Sequence, residues 1–185
     1  RDEGFIHEIL TGDIHKANQQ LAGLESRDQA KTFIYALIYG AGNTKLGGVV
    51  GGDERHGERL RGRFFNNLPA FPNLRDRVSK KAQRGYLIGL DGRHVPVRSE
   101  HSALNTLLQS AGAIVMKKAL TTLDEYAKLW GITYNFVGNI HDEVQTEVKT
   151  SEAEKFGRLA TSCIEAAGIH FNLNCPLAGE FKVGR

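Results

Sequence analysis

Four residues with chemistry to offer recur at every fourth position in RDQAKTFIYALIYGAG: Arg27, Lys31, Tyr35 and Tyr39. A helix turns about 100° per residue, so a step of four drifts only about 40° and the side chains form one narrow stripe. Two cations a turn apart suit a polyanion, and two phenol rings further along suit a flat partner such as a base. The stripe equally fits a solvated face on which Arg and Lys lay their stems over apolar surface. His101, Asn105 and Gln109 repeat the spacing in HSALNTLLQSAGA. Amide side chains donate to the N3 and O2 acceptors shared by all base pairs in the minor groove, a check on duplex shape without sequence; on a helix surface they can also simply be solvated. In NIHDEVQTEV, an apolar run delivers His141, Asp142 and Glu143 to a tight turn. Adjacent acids there suit Mg²⁺, which keeps waters and completes its shell with substrate phosphates. An Asp bonding its own backbone explains the same turn.

The elements that must position these groups follow from periodicity and caps. Ala30, Phe33, Ile34, Leu37 and Ala41 fall on an arc away from the stripe and face a core. Ser26 is a good N-cap, and Gly40 with Gly42 supplies a stop. Helices are expected over 3–10, 13–22 with Asp13 as cap, 27–40, 53–66 and 71–84, the last with Pro72 in its first turn. A long helix from His101 to Trp130 ends at Gly131, with Leu104, Leu107, Leu108 and Ala111 serving the core. Ser151 is expected to cap a helix reaching Ala167. GYLIGLDGRHVPVR predicts a hairpin around Asp91-Gly92, YNFVGNI and EVQTEV two strands, and GEFKVG a final strand. A helical first half before a mixed second half predicts an α+β fold, a helical lobe on a small antiparallel sheet.

With 185 residues, 41% hydrophobic and 24% charged, the chain can build one core or a core plus a lobe. No run reaches membrane-spanning length, and RDEGFIHEIL lacks the regions of a signal peptide. Cys163 and Cys175 make no CxxC pair, so a reduced intracellular protein is the default. Met116 is the sole methionine, which implies processing or a piece of something longer. Net charge is only +3, yet Arg59, Arg61, Arg63, Arg75, Arg77, Lys80, Lys81 and Arg84 face only Asp76 between 59 and 84. Such an excess is an electrostatic footprint for phosphates. GAGNTKLGG lacks the Gly-Lys-Ser/Thr of a phosphate loop and follows a helix, HExxH and Gly-x-Ser-x-Gly are absent, and no His/Cys set has zinc spacing.

Together the pieces resemble a known family. Arg27-x3-Lys31-x3-Tyr35-x3-Tyr39-Gly40 resembles motif B of family A (polymerase I-like) DNA polymerases, and His141-Asp142-Glu143 resembles motif C. GDIHKANQ, LDGRHVPVRS and LNTLLQSAGA are similar to that family as well, in particular to its phage replicative members. The resemblance implies an incomplete right-hand fold, with helical fingers over 1–84 and the C-terminal part of the palm over 85–185. It implies Arg27, Lys31 and His15 on the triphosphate of an incoming deoxynucleotide, with Lys31 the proton donor to departing pyrophosphate. Tyr35 falls near the sugar, and Tyr39 with Gly40 near the template base and nascent pair. Asn105 and Gln109 touch the minor groove of primer–template DNA, and Arg93 a primer or phosphate. Asp142 is a metal-binding carboxylate, with His141 and Glu143 near the primer end. The family uses two Mg²⁺ ions held by two aspartates, and the second, from motif A, has no counterpart here; Asp13 and Asp53 stand in the wrong context to replace it. The expected partners are therefore primer–template DNA, dNTPs and an N-terminal polymerase portion, in the cytoplasm of a bacterium or phage-infected cell and without a membrane. Two competing expectations are a non-catalytic nucleic-acid-binding module and a polymerase-derived protein with an unrelated interaction role.

Overall fold

A computed structural model of the chain describes residues 3–140 and 142–184. The chain divides into two compact units. One runs to Leu87 and includes His94–Leu108; the other comprises Ile88–Arg93 and the chain from Gln109.

The first unit is helical because its sequence supplies caps at the right places. After α1 (Glu3–Thr11), Asp13 starts α2 (Ile14–Ala22) by accepting the amides of His15 and Lys16 at 2.9 and 3.2 Å. Ser26 starts α3 (Arg27–Ile38) with a reciprocal box: its Oγ accepts from Gln29 N, and Gln29 Oε1 accepts from Ser26 N. The Gly-rich passage holds the short α4 (Asn43–Gly48), then Asp53 caps α5 (Glu54–Asn67) through His56 N, and α6 (Ala70–Ala82) follows. Ala30, Phe33, Ile34 and Leu37 of α3 are buried with Leu46, Leu60 and Phe64. The Phe33 and Phe64 rings meet edge to face at 5.9 Å. Each such side chain contributes roughly 1.5–3 kcal/mol by leaving water, which is what holds α3 with its other face outward. Gly57 allows one of the closest approaches in this lobe, since a Cβ there would fall 1.9 Å from the Asn43 carbonyl oxygen.

β1 (Tyr86–Ile88) and β2 (His94–Pro96) pair around the Asp91-Gly92 turn, where Gly92 N donates to Gly89 O at 3.0 Å. A 3-10 turn (Glu100–Ser102) leads into α7 (Ala103–Leu129), which Gly131 closes. In the second unit, β3 (Tyr134–Ile140) and β4 (Glu143–Val148) are antiparallel, in register from Tyr134 opposite Val148 to Ile140 opposite Glu143, with an irregularity between Phe136 and Gly138. α8 (Ala153–His170) buries Phe156, Leu159 and Cys163 against Leu123, Ala127 and Ile132.

Several expectations change. α3 stops at Ile38, so Ala41 lies beyond it in the following turn. His101 falls in the 3-10 turn ahead of α7, not on the helix with Asn105 and Gln109. Leu108 is 44% exposed, because the buried arc at that end of α7 runs through Ala103, Leu104 and the partly buried Leu107. Ser151 is not a cap: it sits inside a 3-10 turn (Thr150–Glu152), and α8 begins only after Glu152. GEFKVG forms no strand among the described residues; Phe181 instead lies so close to Gly157 that a Cβ there would clash with its ring. His141 lies outside the described residues.

Candidate functional site

The α3 stripe forms the wall of a groove. Lys31, Tyr35 and Tyr39 line a cavity of about 620 Å³ with Asp28, Thr32 and Lys45. Tyr35 and Tyr39 are 48% and 54% exposed, so burial of the rings does not account for them. Lys45 was not anticipated. The only hint was the Gly-rich passage, which turns the chain sharply enough to bring the first turn of α4 back beside α3. The groove thus offers two ammonium groups, one carboxylate and two ring faces. That is a fitting set for a ligand with an anionic end and a flat end.

Arg27 heads the same stripe but is held by another element. Its Nε lies 2.7 Å from Asp13 Oδ2, while Asp13 Oδ1 caps α2 beside His15. The guanidinium holds the Asp13 carboxyl below its ordinary range, and the carboxylate raises Arg27 in turn. Asp13 was read from sequence only as a cap; its second oxygen ties the start of α3 to the start of α2. His15 keeps a buried Nδ1 without a hydrogen-bond partner. Past the stripe, Gly40 has φ of 79°, and a Cβ there would stand 2.5 Å from the His101 carbonyl oxygen. Both conditions admit glycine and resist every other residue.

The acids occupy the other unit, in the turn between β3 and β4. Asp142 and Glu143 are exposed, and Glu143 Oε1 accepts from Gln145 Nε2 at 3.1 Å. Two adjacent carboxylates supply the hard oxygen donors that Mg²⁺ prefers. Among the described residues no group of three His, Cys, Asp or Glu side chains converges for a metal. Among those residues, Asp142 and Glu143 fit the ion as contributors of ligands. Arg93 is engaged within its own hairpin, where Asp91 accepts from its Nε at 2.8 Å and its Nη2 lies 2.6 Å from the same carboxylate. That contact lowers Asp91 and raises Arg93. Asn105 is half-buried on α7 and Gln109 is exposed one turn on.

The basic segment separates into two kinds of residue. Arg59, Arg63, Arg77, Lys80, Lys81 and Arg84 are exposed, whereas Arg61 and Arg75 are half-buried. Sequence spacing gave no sign of that difference.

The sequence model of DNA polymerase family A matches residues 2–185. The chain is 44% identical over 183 residues to the DNA-directed DNA polymerase of Escherichia phage Phieco32, a match over 95% of this chain and 30% of that protein. It is 39% identical over 202 residues to the DNA-directed DNA polymerase of Escherichia phage T7, covering 97% of this chain and 29% of that one. The fold is similar to the POL domain of Pol1 from M. smegmatis, solved in complex with DNA primer-template and dNTP. That likeness has a TM-score of 0.82 and 22% identity, over 90% of this chain and 33% of the other. The chain thus spans about 30% of the length of the phage relatives it matches. A match of the family model over nearly every residue, joined to motifs that the fold sets on a helix groove and a hairpin turn, has one meaning: the chain belongs to DNA polymerase family A.

Proposed function

We propose that these 185 residues serve as the fingers (1–84) and the C-terminal part of the palm (85–185) of a DNA-directed DNA polymerase. In this reading the groove along α3 takes the incoming deoxynucleotide. Lys31 and Arg27 hold its triphosphate with His15, Tyr35 lies by the sugar, and Tyr39 with Gly40 borders the template base. Asn105 and Gln109 donate to minor-groove acceptors of the primer–template. His141, Glu143 and Arg93 contact the primer end or its phosphates. Asp142 is one metal-binding carboxylate, and the second comes from a polymerase portion beyond these residues. Mg²⁺, when bound, neutralises phosphate charge and lowers the pKa of the attacking hydroxyl. The primer 3′ hydroxyl gives its proton to solvent water as its oxygen forms a bond to the α-phosphorus, the bond to pyrophosphate breaks, and Lys31 gives a proton to the departing oxygen.

The observation that supports this reading best is the groove itself. Lys31, Tyr35 and Tyr39 are exposed and line one cavity, in a chain whose family acts on nucleotides. Arg27 is compatible with the role because the side chains of the Arg27–Asp13 pair are 54% and 40% exposed, and an ion pair so open to solvent separates at little cost. A primer-extension assay on the chain alone, and with a purified N-terminal portion of a phage relative, tests the proposal. Synthesis only in the mixture is expected. Binding of DNA in both arms with synthesis in neither would favour a non-catalytic nucleic-acid module.

A further inference from the structure

Arg61 and Arg75 stand apart from the other cations of the 59–84 segment. Arg61 reaches from α5 to the turn after α3, where its Nη2 donates to the Ala41 carbonyl. Its Nε is buried without any hydrogen-bond partner. Arg75, on α6, lines the same cavity of about 520 Å³, together with Ser79, Glu100 and His101. Burial lowers the Arg61 pKa, and the nearby charge of Arg75 lowers it further. Among the described residues Arg75 has no ion pair, and Glu100, the one carboxylate lining the cavity, pairs with neither arginine.

This is an expensive arrangement to leave empty. A buried guanidinium N–H without an acceptor loses its hydration and gains nothing. A second guanidinium beside it adds repulsion in a partly desolvated place. One anion relieves both costs. A planar guanidinium forks onto two oxygens of a tetrahedral phosphate, and two of them clamp a phosphate between them. The Ala41 carbonyl fixes the Arg61 plane in advance, so little rotamer freedom remains to be lost on binding. A cavity of about 520 Å³ admits a phosphate with its flanking sugar.

We propose that Arg61 and Arg75 form a phosphate-binding site, filled in the working protein by a backbone phosphodiester of a nucleic-acid strand. The choice of strand rests on the nucleic-acid reading given above; the site for the phosphate does not. Arg59, Arg63, Arg77 and their neighbours act through the general field of a basic surface, whereas Arg61 and Arg75 hold one phosphate at one place. The site sits beside Gly40 and Ala41, so its occupant also bears on the end of α3.

The test titrates the full chain, labelled with ¹⁵N, with inorganic phosphate in one arm and a short single-stranded oligonucleotide in the other. The Arg61 Nε–Hε resonance is followed in both. The expected result is a saturable shift of that resonance in both arms, at far lower concentration with the oligonucleotide. Arg75→Gln should abolish the saturation and weaken oligonucleotide binding about tenfold or more. Arg77→Gln, an exposed neighbour on α6, should weaken it only about twofold and flatten the salt slope by about one unit. Arg75→Gln leaves the Arg61–Ala41 bond intact, so an unchanged melting curve is expected; Arg61→Lys keeps the charge but loses the fork and should bind like Arg75→Gln. A shift with phosphate alone keeps the anion site and removes the strand from it. A resonance unmoved in both arms, or equal losses in Arg75→Gln and Arg77→Gln, overturns the proposal.

Discussion

The groove along α3 and the turn between β3 and β4 carry the two ends of the proposed chemistry, and they are built differently. Around α3 the fold has fixed nearly everything locally. A capping box sets where the helix starts, Asp13 ties Arg27 to the start of α2, the buried residues Ala30, Phe33, Ile34 and Leu37 turn the stripe outward, and Gly40 ends the helix in a conformation and a space that only glycine fits. At the hairpin turn Asp142 and Glu143 stand exposed, and Glu143 accepts a hydrogen bond from Gln145. A nucleotide can be gripped by groups that one lobe preorganises. Acids that act through a metal need further ligands, and among the described residues no third converges. In the proposed reading, the difference separates a groove whose walls one unit supplies from a turn whose acids act together with ligands supplied elsewhere.

The sharpest way to break that contrast is Asp142→Asn in a polymerase reconstituted with its N-terminal portion. Loss of the charge that holds the metal should cut primer extension by about 10³-fold or more, with duplex affinity within about twofold. Extension that survives would mean that the hairpin turn is not the chemical half. Next in size is Lys31→Ala. A proton donor contributes about 10²–10⁴-fold, so transfer of all four nucleotides should slow by about 10²-fold, measured in single turnovers. Because Lys31 is exposed, melting should not move. A loss confined to one nucleotide would place Lys31 on the base instead.

Tyr35→Phe probes the same groove more finely. A phenol beside the sugar can take the place, and some polar contacts, of a missing 3′-hydroxyl. The reconstituted enzyme should therefore accept dideoxynucleotides readily, and the phenylalanine variant should discriminate against them by up to about tenfold more, the worth of one hydrogen bond. Competition between each dideoxynucleotide and its parent measures it. Unchanged discrimination would mean that the stripe is displaced along the helix relative to the sugar.

Where sequence reasoning succeeded, the governing physics was local. Asp13 and Ser26 cap as expected because a cap acts within three residues, and the stripe emerged because helical spacing alone sets it. The hairpin at Asp91-Gly92 and the strands around Asp142 followed from turn chemistry and alternation. It failed where distant packing decides. Nothing near Ser151 says that a 3-10 turn will absorb it, and the Glu152 carboxylate, which accepts from Thr133 N at 3.2 Å, draws its partner from 19 residues away. GEFKVG has strand-like alternation, but Phe181 spends its ring on Gly157. Within the candidate site the types were legible and the partners were not. Arg27 and Asp13 are 14 residues apart, Arg61 and Ala41 are 20, and no spacing rule links them.

The smallest effect expected concerns what steadies the hairpin at the end away from its acids. Tyr134 opens β3, and its hydroxyl donates to Asp124 Oδ1 of α7 at 2.5 Å, while Lys128 Nζ lies 2.7 Å from Asp124 Oδ2. Burial, then the hydrogen bond to Asp124, pushes the Tyr134 phenol up to about 12 from its ordinary 10.0. Lys128 first, and Tyr134 next, hold the Asp124 carboxyl below its usual range. The signs are opposite. A raised phenol contributes stability that is whole below about 10 and is lost as pH rises through about 12, because the folded state holds the proton more tightly. A depressed carboxylate contributes stability that is whole above the usual carboxylate range and is lost as pH falls through its lowered value. Replacing Tyr134 by Phe removes one hydrogen bond and keeps the ring, which packs on Phe156 at 5.3 Å. It should cost about 0.5–1.5 kcal/mol near neutral pH. The gap in melting temperature between the native chain and Tyr134→Phe should therefore hold constant across neutral pH, narrow as the phenol ionises above pH 10, and narrow again in acid. A gap unchanged into strong alkali would show that the ring alone anchors β3. In that case the hairpin resembles the α3 groove in being held by packing, and the contrast between the two regions rests on the acids alone.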